Sequence, residues 1–192
     1  MTNIDPTRHP EVERYTGIAQ ILHWIVLALL ILQFMLAWTM PDIRRGTEPE
    51  ALINLHLSFG LLILLVMATR LTWRITHPAP PPPKGLPAWQ LLSSRVIHTL
   101  LYALLFVIPA LGWINASYRG WNITLFGVLR IPNLVPPRSA TPTTPFFGSW
   151  TGDVHAYLSY GLLALISLHV LGALYHRFVL HDRVLARMIP EQ

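Results

Sequence analysis

A chain of 192 residues that is 53% hydrophobic and only 12% charged carries too little charged surface to stay in solution, which excludes a soluble globular domain. It has no cysteine, which excludes disulfides, iron–sulfur clusters, thiolate chemistry and covalent c-type haem attachment. The formal net charge of +5 comes from residues that flank apolar runs, so it reads as a membrane-topology signal and gives no reason to invoke nucleic acid.

The first apolar run, Ile18 to Met40, starts too late and runs too long for a cleavable signal peptide and is expected to remain as a helix. Three more follow, Leu52 to Trp73, Val96 to Ala116 and Val154 to Val179. Each is near or above the roughly 20 residues that a helix needs to cross a bilayer core of about 30 Å. Stretches such as Leu61-Leu62-Ile63-Leu64-Leu65-Val66 lack the period-two alternation of a membrane barrel strand. The expectation is an all-α integral membrane four-helix bundle, a single domain over residues 1–192 with spans near 17–40, 51–74, 94–116 and 152–180.

The connection after the second run holds Pro78, Pro80, Pro81, Pro82, Pro83 and Pro87, which cannot be helical and should form an extended strap. The connection over 117–151 has no obvious secondary structure; it mixes Pro132, Pro136, Pro137, Pro142 and Pro145 with Trp121, Phe126, Phe146, Phe147 and Trp150. Such a loop serves either as a cap over a buried site or as an interfacial segment. With four spans both termini share a side. That side and the proline strap hold nine basic residues, Arg8, Arg14, Arg70, Arg74, Lys84, Arg95, Arg177, Arg183 and Arg187, against five on the other, Arg44, Arg45, Arg119, Arg130 and Arg138. The bias puts both termini in the cytoplasm.

Four histidines fall inside the spans at two depths. His23 lies near the cytoplasmic end of the first and His56 near the outer end of the second, while His155 and His169 lie 14 residues apart in the fourth. That separation is about 21 Å along a helix and within about 40° of one face, so the fourth span offers one imidazole at each level. The pairs are then His56 with His155 and His23 with His169, across facing helices as bundle-core cofactor sites require. One histidine at a helix end is ordinarily an interfacial hydrogen bonder. Two buried pairs at matched depths point instead to bis-imidazole ligation of two haem irons, six-coordinate and suited to electron transfer. Two imidazoles per level with no carboxylate or thiolate is a thin set for zinc or copper.

Small residues accompany each ligand on its own face: Ala19, Gly60, Ser159, and Gly172 with Ala173. They would leave room for a porphyrin or simply allow close helix packing. Arg14, Arg70, Arg74, Arg95 and Arg177 are candidate propionate partners on the cytoplasmic side and Arg44, Arg45 and Arg119 on the outer side; Arg119 is favoured because it closes the third span at the His56 level. His98, near the cytoplasmic end of the third span, has no spare depth-matched partner and is expected to serve as a structural or quinone-site hydrogen bonder. His176 rivals His169 but should sit at the interface, and His9, His77 and His181 fall in surface segments. Trp24, His98, Tyr102, Trp113 and Trp150 could contribute to a quinone site or serve as ordinary interfacial residues.

The segments Ile21-Leu22-His23-Trp24, Asn54-Leu55-His56-Leu57-Ser58-Phe59-Gly60, Arg70-Leu71-Thr72-Trp73-Arg74 with the proline strap, Arg95-Val96-Ile97-His98, Val154-His155, Ser167-Leu168-His169 and 182–188 resemble the bacterial cytochrome b-561 family in order and spacing. The resemblance implies a multi-pass inner-membrane protein with two haem b groups, ligated at His23, His56, His155 and His169. It also implies electron exchange with ubiquinone or ubiquinol and, in one branch, oxidation of superoxide at the outer surface. The candidate partners are membrane lipid, the quinone, a periplasmic redox donor and a second copy of the chain in a homodimer. An alternative reading is a haem-containing membrane anchor or relay subunit for a separate dehydrogenase or periplasmic partner. A transporter of metal or haem is a third, against which stands the lack of inverted repeats and broken helices. The loop over 117–151 is longer than in the shortest family members.

Overall fold

The computed structural model describes residues 14–44, 46–82, 85–138 and 150–189. Arg8, His9, Arg45, Pro83, Lys84, Pro142, Pro145, Phe146 and Phe147 lie outside the described residues. Four helices carry the fold: α1 (Gly17–Thr39), α2 (Ala51–Thr76), α3 (Ala88–Arg119) and α4 (Thr151–Phe178). All four are long and apolar enough to cross a membrane, as expected.

Local chemistry sets where these helices begin and end. The Thr16 hydroxyl caps α1 by accepting from the Ala19 N–H at 3.4 Å, satisfying one of the orphan donors of the first turn. Pro87 precedes α3, which starts at Ala88, well before the apolar run at Val96. The polar Ser93-Ser94-Arg95 stretch lowers hydropathy without breaking a helix, and a hydropathy reading therefore begins the span late. At the other end Gly120 adopts φ 79°, and its N–H returns to the Ala116 and Ser117 carbonyls. A left-handed residue of this kind stops a helix at little cost only when it is glycine.

The helices pack in chain order, α1 on α2, α2 on α3 and α3 on α4, whereas α1 and α4 make no comparable side-by-side contact. In α4 only Thr151 and Leu162 are buried, although the helix is strongly apolar. A central cluster of Val26, Leu30, Ile63, Met67, Leu105, Ile108 and Leu162 separates the two ends of the bundle.

Each end is closed by irregular chain. The loop after α3 contains a short antiparallel hairpin, β1 (Thr124–Leu125) paired with β2 (Leu129–Arg130), so it has secondary structure that its sequence did not announce. The hairpin is pinned to α2 by Ser58, whose hydroxyl accepts from the Phe126 N–H at 3.0 Å and faces the Asn54 and Thr124 carbonyls at 2.8 and 3.1 Å. Trp121 and Ile123 bury against Ile53 and Ala116, and the Trp113 indole donates to the Pro132 carbonyl at 3.0 Å. The segment is a packed cap.

At the opposite end a 3₁₀ turn, Leu185–Met188, folds back under the bundle. The Trp24 indole donates to the Met188 carbonyl at 2.8 Å, the Gln20 amide to the Arg187 carbonyl at 3.2 Å, and Arg187 to the Pro81 carbonyl at 2.6 Å. These bonds bring the start of α1, the tail and the proline strap to one end, which we call the terminal end; the other is the hairpin end.

Candidate functional site: two histidine levels

The structure brings the four histidines together in the two expected pairs. At the hairpin end the His56 and His155 ring centroids are 6.1 Å apart; at the terminal end those of His23 and His169 are also 6.1 Å apart. Two imidazoles that bind one metal from opposite sides need centroids about 6 Å apart, given metal–nitrogen bonds of about 2 Å. Among the described residues no three His, Asp or Glu side chains converge as a chelating cluster. A metal held here by two imidazoles has to bring its remaining ligands with it, as the iron of a haem does.

The hairpin level is built in detail. His155 donates its Nδ1–H to the Ile108 carbonyl at 2.8 Å, which fixes the tautomer and leaves Nε2 with the lone pair that a metal would need. The ring reaches α3 because position 112 is glycine: a Cβ there would lie 3.1 Å from His155 Cε1 and 3.2 Å from Nδ1. Pro109 lies between, and a proline inside a helix removes the bond to the carbonyl four residues back and loosens the turn. Opposite, the Gln33 amide lies 3.2 Å from His56 Nε2 and donates to the His56 carbonyl at 3.1 Å.

A cavity of about 220 Å³ opens between these side chains, lined by His56, His155, Gly60, Gly112 and Ser159 among apolar groups and floored by Ile123 of the cap. Gln33 Oε1 and His56 Nδ1 are buried beside it without a hydrogen-bond partner among the described residues. Buried orphan atoms cost about 1–3 kcal/mol each, so they mark a place where further groups belong. Donor set, ring spacing, cavity and orphan atoms together fit a haem.

The terminal level is more crowded. His98, which the sequence left without a depth-matched partner, lies with its ring 5.0 Å from that of His169, and its Nδ1–H donates to the Ser94 carbonyl at 2.6 Å. Because α3 starts early, His98 lies level with the inner pair, whose two members already face each other. Its centroid distance to His169 is shorter than a shared axial pair requires, whereas His23 has the matching one. Arg70 donates to the Tyr102 hydroxyl at 3.1 Å and to the Ala19 carbonyl at 3.2 Å. His176 is turned away to Asp182, 2.5 Å from its Nδ1, and His77 stacks on Trp73 with centroids 3.6 Å apart.

Arg119 lies at the hairpin end but does not line the cavity. Its Nε donates to Asn115 Oδ1 and its Nη1 to the Arg44 carbonyl, both at 2.9 Å, and its guanidinium lies over the Trp121 ring. Sequence reasoning missed Gln33, Gly112 and the Ile108 carbonyl. A glutamine in the middle of an apolar run and a Pro-x-x-Gly in the third span were the available signals.

The chain matches the family described as prokaryotic cytochrome b561 over residues 14–191. It is 28% identical to cytochrome b561 homolog 2 of Escherichia coli K12, with 92% of each chain covered. It is 30% identical to the probable superoxide oxidase CybB of Yersinia pestis, over 94% of this chain and 98% of the relative. It is 25% identical to a cytochrome b562 of Cereibacter sphaeroides, over 91% and 94%.

Proposed function

The chain belongs to the prokaryotic cytochrome b561 family, and from that premise we propose that it passes electrons between a donor at its hairpin end and the quinone pool. Membership makes it a multi-pass b-type cytochrome of a bacterial inner membrane that takes part in electron transfer. The finer reading is two haem b groups per chain, with His56 and His155 holding one iron and His23 and His169 the other. The observation that carries it is the repeated 6.1 Å ring spacing at the two ends of α4.

Haem supplies a one-electron redox change at iron. The chain's own residues do the rest. His56 with His155, and His23 with His169, would hold the group through imidazole nitrogens, a donor set suited to electron transfer at iron. The Ile108 carbonyl orients His155, and apolar side chains, Ile123 of the cap among them, line most of the hairpin-level site. The two levels are about 21 Å apart along α4, so one chain would hold a redox group towards each membrane face. Arg119 retains N–H donors beyond the two it uses and is the proposed partner for a propionate at the hairpin end.

The basic-residue bias places the hairpin end in the periplasm. Arg119, Arg130 and Arg138 lie at that end, where Arg44 is paired with Asp42 at 3.1 Å, and the Yersinia relative is named as a probable superoxide oxidase. Superoxide is therefore the proposed donor. Each superoxide gives up one electron and leaves as oxygen, and two electrons with two protons convert ubiquinone to ubiquinol. The test is visible spectroscopy of the oxidised protein. Superoxide should reduce it and ubiquinone should reoxidise it; a spectrum unmoved by superoxide and by ubiquinol would remove this reading.

A further inference from the structure

We propose that the hairpin tip, Phe126 to Leu129, is a lipid anchor that dips below the acyl-chain boundary of the leaflet at its end of the bundle. The helices beside it set its depth. Trp121, where the chain leaves α3, donates its indole N–H to the Thr47 carbonyl of the α1–α2 connection at 3.0 Å, so the descent starts at the bundle end. Five residues later the Phe126 N–H meets the Ser58 hydroxyl, and Ser58 stands seven residues past Ala51, about 10 Å along α2. On the return the Pro132 carbonyl meets the Trp113 indole, six residues before the end of α3 at Arg119, about 9 Å along that axis. The 26 residues of α2 measure about 39 Å against a hydrocarbon core of about 30 Å. With the excess shared between its ends, Ser58 and the turn it holds lie about 6 Å inside the core.

The tip is built for that depth. Val128 is 91% exposed, Leu129 58% and Phe126 45%, an apolar surface that water would penalise. Phe126 has φ 50° and Gly127 φ 74°. A turn with two positive φ values ordinarily takes Asn, Asp or Gly first, so the Phe126 ring, edge-on to Phe59 at 5.1 Å, is kept there against backbone preference. Backbone donors at the turn are engaged within the protein, as lipid demands: the Val128 N–H donates to the Leu125 carbonyl at 3.1 Å and the Ile131 N–H to the Ile123 carbonyl at 2.9 Å. Leu65, seven residues beyond Ser58 and within about 20° of its face of α2, is exposed, so the tip continues an apolar wall that the bilayer covers. Nearer the bundle end Arg130 donates Nη2 to Asn122 Oδ1 at 3.2 Å. Polar base and apolar tip make the division of an interfacial element, headgroups against one and methylenes against the other.

The experiment is photo-labelling of the purified, cofactor-loaded protein in nanodiscs of phosphatidylcholine that carries a diazirine in the upper part of one acyl chain. Cleavage after Arg119, Arg130 and Arg138 releases the tip within 120–130 and the following stretch of the loop within 131–138. Lipid adducts on 120–130 should exceed those on 131–138 several-fold and fall between Phe126 and Leu129; equal labelling, or labelling of 131–138 alone, would overturn the proposal. Because the chain has no cysteine, Val128→Cys supplies a single thiol for a second reading. In single-copy nanodiscs of plain phosphatidylcholine, with the visible spectrum as the check on folding, a charged maleimide should modify it about tenfold more slowly than Asp42→Cys, whose side-chain position is 82% exposed. Comparable rates would contradict lipid cover. Protection that appears only with two copies per disc would assign the tip to contact between copies and overturn the anchor.

Discussion

The two ends of the bundle hold their histidines at the same 6.1 Å ring spacing but surround them differently. At the hairpin end the ring of His155 is anchored to a backbone carbonyl, a glycine makes room for it, and the cap lends Ile123 to the cavity wall. At the terminal end the pair shares its level with a third imidazole and an arginine, and a folded-back tail closes the site. Common spacing with different enclosure separates what binding a metal demands from what tuning and access demand.

The largest expected effect that would break the comparison comes from Gly112→Val. The new side chain meets the His155 ring within van der Waals contact, so the hairpin-level site should be lost while the terminal level stays intact. The expected outcome is half the haem absorbance per chain in a protein of unchanged helicity; an undiminished spectrum would show that His155 does not need this approach.

Next in size is Ser58→Ala, which leaves the Phe126 N–H without its acceptor and unpins the hairpin. A cost of about 1–3 kcal/mol is expected for a buried group left unsatisfied. Hydrogen exchange should rise over residues 121–138 and remain unchanged in the tail. Equal exchange in mutant and wild type would mean that the cap is held elsewhere.

The matching change at the other end is Trp24→Phe, which removes the bond to the Met188 carbonyl and should cost about 1 kcal/mol. Its signature is faster exchange over 185–189 alone. If the hairpin segment loosened as well, the two closures would not be independent.

What could be read in advance follows from the period and polarity of the chain. Four apolar runs announced four spans, because a bilayer tolerates little else, and buried imidazoles stood out for the same reason. Helix rise alone then placed His155 and His169 at different depths of α4 and matched each with the ring that the structure sets beside it. How close His98 comes to His169 was not legible, because its depth depends on where α3 begins, and the polar Ser93-Ser94-Arg95 stretch hides that start from a hydropathy reading. Gly112 looked like any small residue in a membrane helix; its role appears only when the His155 ring is seen against it. The hairpin and the tail closure rest on hydrogen bonds between segments far apart in sequence, such as Phe126 to Ser58 and Arg187 to Pro81, which no local pattern encodes.

The smallest effect sharpens the terminal level. His98→Ala should leave the haem content unchanged and shift only one of two reduction midpoints, since His23 and not His98 has the axial spacing to His169. Loss of one haem in this variant would exchange their roles.

The central claim is two bis-histidine haem sites joined by α4, and pyridine haemochrome quantification of the wild type beside His155→Ala and His169→Ala tests it most directly. Two b haems per chain in the wild type, falling to about one in each variant as each removes one of two axial imidazoles, is the expected result. A folded wild-type protein with one haem or none, or variants that keep both, would contradict it.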